Sequence, residues 1–286
     1  MPLNVFGCSV SLPSAVVLPQ LAPVIINENT AVVPAGDEGT DTLLITHGAG
    51  VGSQEGTFLM TSGTAGGDEV SYTLGGTHTI RVNDLVVASP SNPHGANCQT
   101  TPLVMGRITA VNAPANMVTV DRGLQVAGGV MYNLGQRPGT ANVGADQVPS
   151  SRAYRVRNST LVECDLMTRN CTQEENWAAI APDIVGLRAE YRLSDGTYTR
   201  VVPVTANRSC GYARIQGIRL ALVARSPQKA KMDVTTAATL PRWSGQTQIE
   251  VTHLPDWNFY RYTTFETLIA IRNVNWMGVL DAAFCP

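Results

Sequence analysis

Four histidines, His47, His78, His94 and His253, are the side chains best placed to act as a base near neutral pH. Nucleophilic catalysis needs such a base beside a Ser or Cys and an orienting group. None of the four sits in a Gly-x-Ser-x-Gly setting. His47 ends a strand-like run before Gly48-Ala49-Gly50, and His94 lies in a Pro/Gly stretch. Both read as loop or strand-end residues. The Gly48-Ala49-Gly50-Val51-Gly52 run has a phosphate-loop composition, but Ser53-Gln54-Glu55-Gly56 follows it. A phosphate loop needs a Lys and a helix whose N-terminus holds the anion, so this run reads as a turn. No His-x-x-x-His or Asp-x-Asp-x-Asp-Gly spacing offers a metal site. The acidic runs Asp37-Glu38 to Asp41 and Asp68-Glu69 read as solvated turns. No catalytic residue, cofactor or metal ligand is expected.

The other reactive side chains are six cysteines: Cys8, Cys98, Cys164, Cys171, Cys210 and Cys285. Their even number, irregular spacing and lack of a CxxC pair point to disulfides and an oxidising compartment. Spacing alone fixes no connectivity, although Cys164 and Cys171 flank a short turn-forming segment and form the natural local pair. An oxidised chain needs export. Met1 to Cys8 has neither a basic region nor a long apolar run, so the export segment is expected to precede this sequence. No stretch reaches the roughly 20 apolar residues that span a bilayer.

Hydrophobic residues make up 44% of the 286 residues and charged ones 15%, with a formal net charge of -2. That balance gives no basic patch of the kind nucleic-acid binders carry. Lys229 and Lys231 are the only lysines, so the positive charge is nearly all Arg.

Strands must position these residues. Short β-branched runs at Val24-Ile26, Thr42-Thr46, Asp84-Ala88, Arg107-Val111 and Met117-Asp121 are punctuated by Gly, Pro, Asn and Ser. Hairpins are expected for Arg107-Val111 with Met117-Asp121, for Arg152-Asn158 with Leu161-Leu166, and for Asp183-Leu193 with Thr197-Val204 around Asp195-Gly196. Ile215-Arg225 alternates as a half-buried strand. Phe259-Arg272 reads as a long aromatic and β-branched strand. Gly48-Gly67 reads as an exposed loop holding one short strand. The polar stretch Gly135-Ser151 divides the chain into a β-rich lobe over residues 1–145 and a second domain over residues 146–286. No amphipathic helix longer than about three turns is visible.

The C-terminal run carries a resemblance. It reads Leu254-Pro255-Asp256-Trp257-Asn258-Phe259-Tyr260-Arg261-Tyr262-Thr263-Thr264-Phe265-Glu266-Thr267, then Ile271-Arg272-Asn273 and Trp276. This resembles the closing strand of PilW-type minor pilins. Ile184-Val185-Gly186-Leu187-Arg188-Ala189-Glu190-Tyr191, the run Ile218 to Ser226, and Phe6-Gly7-Cys8 are similar to further pieces of that family in the same order. The resemblance marks Tyr260, Arg261, Tyr262, Phe265, Arg272, Asn273 and Trp276 as its signature residues, with a structural role. It covers Ala153 to Trp276 well and residues 9–150 weakly. The family's short leader, Gly-Phe-Thr-Leu-x-Glu step and long apolar helix have no counterpart here.

The resemblance implies an α+β, mainly β fold: a pilin-type antiparallel sheet with an extra β-rich lobe, the N-terminal helix largely missing from this sequence. It implies a minor pilin that works by protein contact in a complex priming the pilus and sitting at its tip. Its partners would be other minor pilins, the major pilin and a tip adhesin, with no nucleic acid. Its place would be the bacterial inner membrane facing the periplasm, then the pilus tip. A type II secretion pseudopilin, an adhesive or DNA-receptive tip subunit and a periplasmic enzyme on a β-scaffold are the alternatives.

Overall fold

The computed structural model describes residues 5–27, 31–49, 56–77, 79–92, 98, 100–126, 128–137, 139–140, 148–205, 208–244 and 248–271. In chain order its strands are β1 (Val10–Ser11), β2 (Val17–Leu18), β3 (Val24–Ile26), β4 (Leu43–His47), β5 (Thr57–Gly66), β6 (Glu69–Leu74), β7 (Asp84–Ser89), β8 (Leu103–Asn112) and β9 (Met117–Val120). There follow β10 (Gly129–Gln136), β11 (Ser150–Arg157), β12 (Thr160–Asp165), β13 (Ala178–Pro182), β14 (Ile184–Leu193), β15 (Tyr198–Thr199), β16 (Ile215–Arg225) and β17 (Tyr262–Ala270). One α-helix, α1 (Arg208–Ala213), precedes β16.

These strands form three sheets. In the first, the order β8-β7-β10-β5-β6-β9 closes because β8 and β9 also pair, giving a six-stranded barrel with β1 and β2 attached through β8. Its interior takes Leu59, Val70, Tyr72, Leu74, Val86, Ala88, Ile108, Val118, Val120 and Met131, with at least one residue from every barrel strand. Alternation explains the choice: β6 buries Val70, Tyr72 and Leu74 and leaves Glu69, Ser71 and Thr73 half-buried. Strand β7 is buried on both sides, Val86 and Ala88 inside the barrel and Leu85 and Val87 in the main core. The main core continues through Ala153 and Val156 of β11 to Leu187, Ala189 and Tyr191 of β14.

The second sheet has the order β13-β12-β11-β4-β3. Its β11–β12 hairpin turns at Asn158 and Ser159, both at positive φ. Two such residues in succession match a two-residue turn that follows the strands' own twist. The third sheet has the order β15-β14-β16-β17.

The expected α+β class is overturned. Among the described residues the structure is almost all β, with 45% strand, 8% helical residues and a single short helix. Gly, Pro and Asn interrupt the chain too often for an apolar stripe of helical period to develop, so pairing between distant strands takes over. Gly48-Gly67 also differs from expectation: residues 57–66 are a ten-residue barrel strand, paired with β6 and β10. Among the described residues no helix is long and apolar enough to cross a membrane.

Candidate functional site: the open edge of the third sheet

Strand β17 runs antiparallel to β16 without a register break, from Arg225↔Tyr262 to Gly217↔Ala270. The Ser226 N–H donates to the Arg261 carbonyl, and the Ile271 N–H donates to the Gln216 carbonyl. These two bonds fix the phase of the ladder. Thr263, Phe265, Thr267 and Ile269 turn their backbone groups to β16. Tyr262, Thr264, Glu266, Leu268 and Ala270 turn theirs outward. Among the described residues β17 is the last strand of its sheet, so the backbone donors and acceptors of these five residues face away from it.

Other edges among the described residues are blunted. β2 and β15 have two residues each and β3 has three. β13 ends in Pro182 and carries a register shift against β12. Short strands, prolines and bulges are the usual guards of a sheet edge. β17 has none of them: it holds no Pro or Lys, and its one charge is Glu266. The Ser244 side chain and backbone N–H bond that carboxylate and hold it below the usual range, with the side-chain bond the larger cause. Apolar side chains stand exposed along the strand: Phe265 at 59% and Ile269 at 48% on one face, Leu268 at 53% on the other.

The sheet behind this edge is held firmly. Val185 of β14 and Ala221 and Val223 of β16 pack with Leu240, Trp243, Ile249 and Val251 on one face. The Arg219 guanidinium lies 3.7 Å from the Tyr198 ring centre and 5.3 Å from that of Trp243, and pairs with Glu190 at 2.5 Å. Arg225 lies over Tyr260 at 4.5 Å. The Tyr262 hydroxyl donates to the Trp257 carbonyl at 3.0 Å, and burial pushes its pKa up to about 12. The edge is thus open but not loose.

Of the signature residues, Tyr260, Tyr262 and Phe265 gather on or beside this edge. Arg261 is exposed, and among the described residues only its backbone is bonded, to Ser226. Arg272, Asn273 and Trp276 lie outside the described residues. Cys8 is bonded to Cys98 and Cys164 to Cys171, with Cα separations of 5.0 and 5.8 Å. Cys210 is disulfide-bonded as well, and Cys285 lies outside the described residues. His47 is exposed at the end of β4 and His253 is half-buried, while His78 and His94 lie outside the described residues.

Asp41, read from the sequence as part of a solvated turn, is buried, and the buried Arg155 and Asp84 were not singled out at all. Asp41 accepts from Arg200, Asn27 and the Ala189 N–H and lies 3.6 Å from Arg188. Arg155 is bonded to Glu174 and lies over Trp177 at 4.1 Å. Asp84 accepts from the Arg81 N–H, Asn133 and Gln136 at one end of the barrel, and burial raises its pKa. Each clamps segments distant in sequence, and no local pattern marks such a pairing. Among the described residues no group of three or more His, Cys, Asp or Glu is placed to hold a metal.

Residues 153–273 match the family model described as type IV pilus-assembly protein W, PilW. That segment contains β14, β16 and β17, and the match bears out the resemblance carried by their sequences. Among solved structures the chain is similar to the type IV-like pilin TTHA1219 from Thermus thermophilus, at 13% identity and a TM-score of 0.30, covering 68% of this chain and 86% of that one. No curated protein matches the chain.

Proposed function

We propose that this protein is a minor pilin that acts in type IV pilus assembly through protein–protein contacts, as a component of the complex that primes the filament and sits at its tip. The observation that carries this reading is the PilW match over residues 153–273, the segment that ends on the open edge. An unguarded edge recruits an extended segment by main-chain hydrogen bonds, with alternate side chains supplying selectivity. Partners would be other minor pilins and the major pilin, in the periplasm and then at the pilus. The work is recognition and assembly, with no chemical step.

The test is co-purification of this chain with the other minor pilins of its own assembly system. Two variants probe the edge. Thr264→Pro removes an outward donor and no bond to β16. Leu268→Glu puts a charge among the exposed apolar side chains. Each should weaken complex formation ~10-fold or more. An edge partner whose binding survives both variants rules out the edge, and failure to bind any pilin with the unaltered chain rules out the assembly role.

A further inference from the structure

Two apolar rows cross the third sheet and end in the open. Leu187, Leu222 and Phe265 are cross-strand neighbours on β14, β16 and β17, and so are Tyr191, Ile218 and Ile269. The β14 and β16 members lie in or against the main core, whereas Phe265 and Ile269 are exposed. Both rows are thus cut short on the same face of one strand.

A two-fold axis continues both rows at once. An isologous contact sets an edge against its own copy, antiparallel. Outward backbone groups must meet outward groups, so only every second register is open. The register centred on Thr267 puts Phe265 opposite Ile269 and Ile269 opposite Phe265. Each apolar row of one copy then runs into the other row of the second copy. Thr264 meets Ala270 and Glu266 meets Leu268, each twice, at the hydrogen-bonded positions. The Glu266 carboxylate accepts from the Ser244 hydroxyl and N–H of its own chain, so no unpaired charge is set against Leu268. Thr267 faces Thr267 on the axis, a favourable cross-strand pair.

The neighbouring registers fit worse. Centred on Glu266, the pairing opposes two like charges and sets Phe265 and Ile269 against threonines. Centred on Phe265, it carries Ile269 past the strand to Arg261, where the Thr235 hydroxyl already donates to the adjacent Tyr260 carbonyl. A net charge of only -2 leaves little repulsion between copies.

We propose that two copies of this chain pair through β17 about a two-fold axis at Thr267, joining two four-stranded sheets into one continuous sheet. About eight main-chain hydrogen bonds form across the axis, and Phe265 and Ile269 of both copies leave water. This inference does not depend on the pilus reading. If both hold, the second copy and a pilin segment compete for one edge, and the dimer keeps that edge occupied before assembly.

Sedimentation equilibrium of the purified full chain, with no pilin present, tests the pairing. A reversible dimer should form at concentrations on the order of 100 μM. Phe265→Asp should weaken it ~10-fold or more. Leu268→Lys places an ammonium opposite Glu266 of the other copy at two symmetric positions and should tighten it ~5-fold. Both side chains are exposed, so neither change threatens the fold. Oxidative cross-linking reads the register. A Thr267→Cys chain should link to its copy through position 267, because Cα atoms at such a pair stand about 4.5 Å apart; a proteolytic map identifies the link. A chain that stays monomeric at that concentration, or a dimer indifferent to Phe265→Asp, overturns the pairing. Faster linking of a Glu266→Cys chain than of the Thr267→Cys chain, or no gain from Leu268→Lys, overturns the register.

Discussion

Removing the Cys8–Cys98 disulfide should destabilise the protein more than removing Cys164–Cys171. The four cysteines are all at most 2% exposed, so replacing either pair by alanines costs similar packing, and the comparison isolates the covalent constraint. The first bond joins residues 90 apart in sequence and the second joins residues 7 apart. In the chain-entropy account the longer loop contributes ~4.6 kcal/mol and the shorter ~2.5 kcal/mol. The difference of about 2 kcal/mol is well above the error of a urea titration. Equilibrium unfolding of the native chain and of the two Ala/Ala variants gives the numbers. The slope with urea should also rise more for Cys8→Ala, Cys98→Ala, because its unfolded chain is released from the larger loop and exposes more surface. A larger loss of stability from the Cys164/Cys171 pair would refute the reasoning, since it would mean that native-state contacts outweigh loop entropy.

Gly106 of β8 faces the Arg122 carbonyl oxygen and the Val120 side chain, and a Cβ built there overlaps both. Gly106→Ala should cost about 1–3 kcal/mol by overpacking, whereas Gly63→Ala on β5, with nothing within 4 Å, should change stability by no more than ~0.5 kcal/mol; chemical denaturation of both variants checks the contrast. Burial raises the Asp84 pKa above its ordinary 3.8, so the folded protein holds that proton more tightly than the unfolded chain does. The resulting stability is complete below pH ~3.8 and is lost as pH rises through the raised value. Melting temperatures from acid to neutral pH should show a decline that Asp84→Asn removes; an identical slope in the variant would show that other groups set it.

Local pairings were legible in the sequence and distant ones were not. Asn112 to Asn116 and Asn158-Ser159 sit between strands of the right alternation, and both hairpins form as read. Strand β16 matches Ile215-Arg225 end to end. The β4–β11 pair, Leu44 opposite Ala153, joins residues more than a hundred positions apart, and nothing in either run specifies the other. The same limit hid the barrel. The β8–β9 hairpin was read, but β6 and β10 were not, and closure depends on β8 pairing with both β7 and β9. Gly48-Gly67 misled because Gly, Ser and Thr mark turns locally, yet β5 needs few large residues: Leu59 reaches the barrel interior while Phe58 and Met60 point to solvent. The edge itself was half legible. The signature run identified the strand, but only the sheet order shows that nothing among the described residues lies beyond it.

The barrel and the edge solve the same physical problem in opposite ways. His47 at the end of β4 is paired with Ser150 at the start of β11, so the chain leaves the second sheet and re-enters it at neighbouring positions. Everything from β5 to β10 is built within that excursion. An open sheet placed there would expose two new edges. A closed barrel exposes none, since each strand has a partner on both sides. It can grow from a hairpin-like junction without adding a surface for unspecific pairing. Among the described residues the third sheet ends at β17, where Pro, Lys and bulges are all absent. An unguarded edge of nine residues is an aggregation hazard unless another segment occupies it in the assembled state. On the assembly role proposed above, the third sheet offers the contact and the closed barrel keeps its own strands out of it.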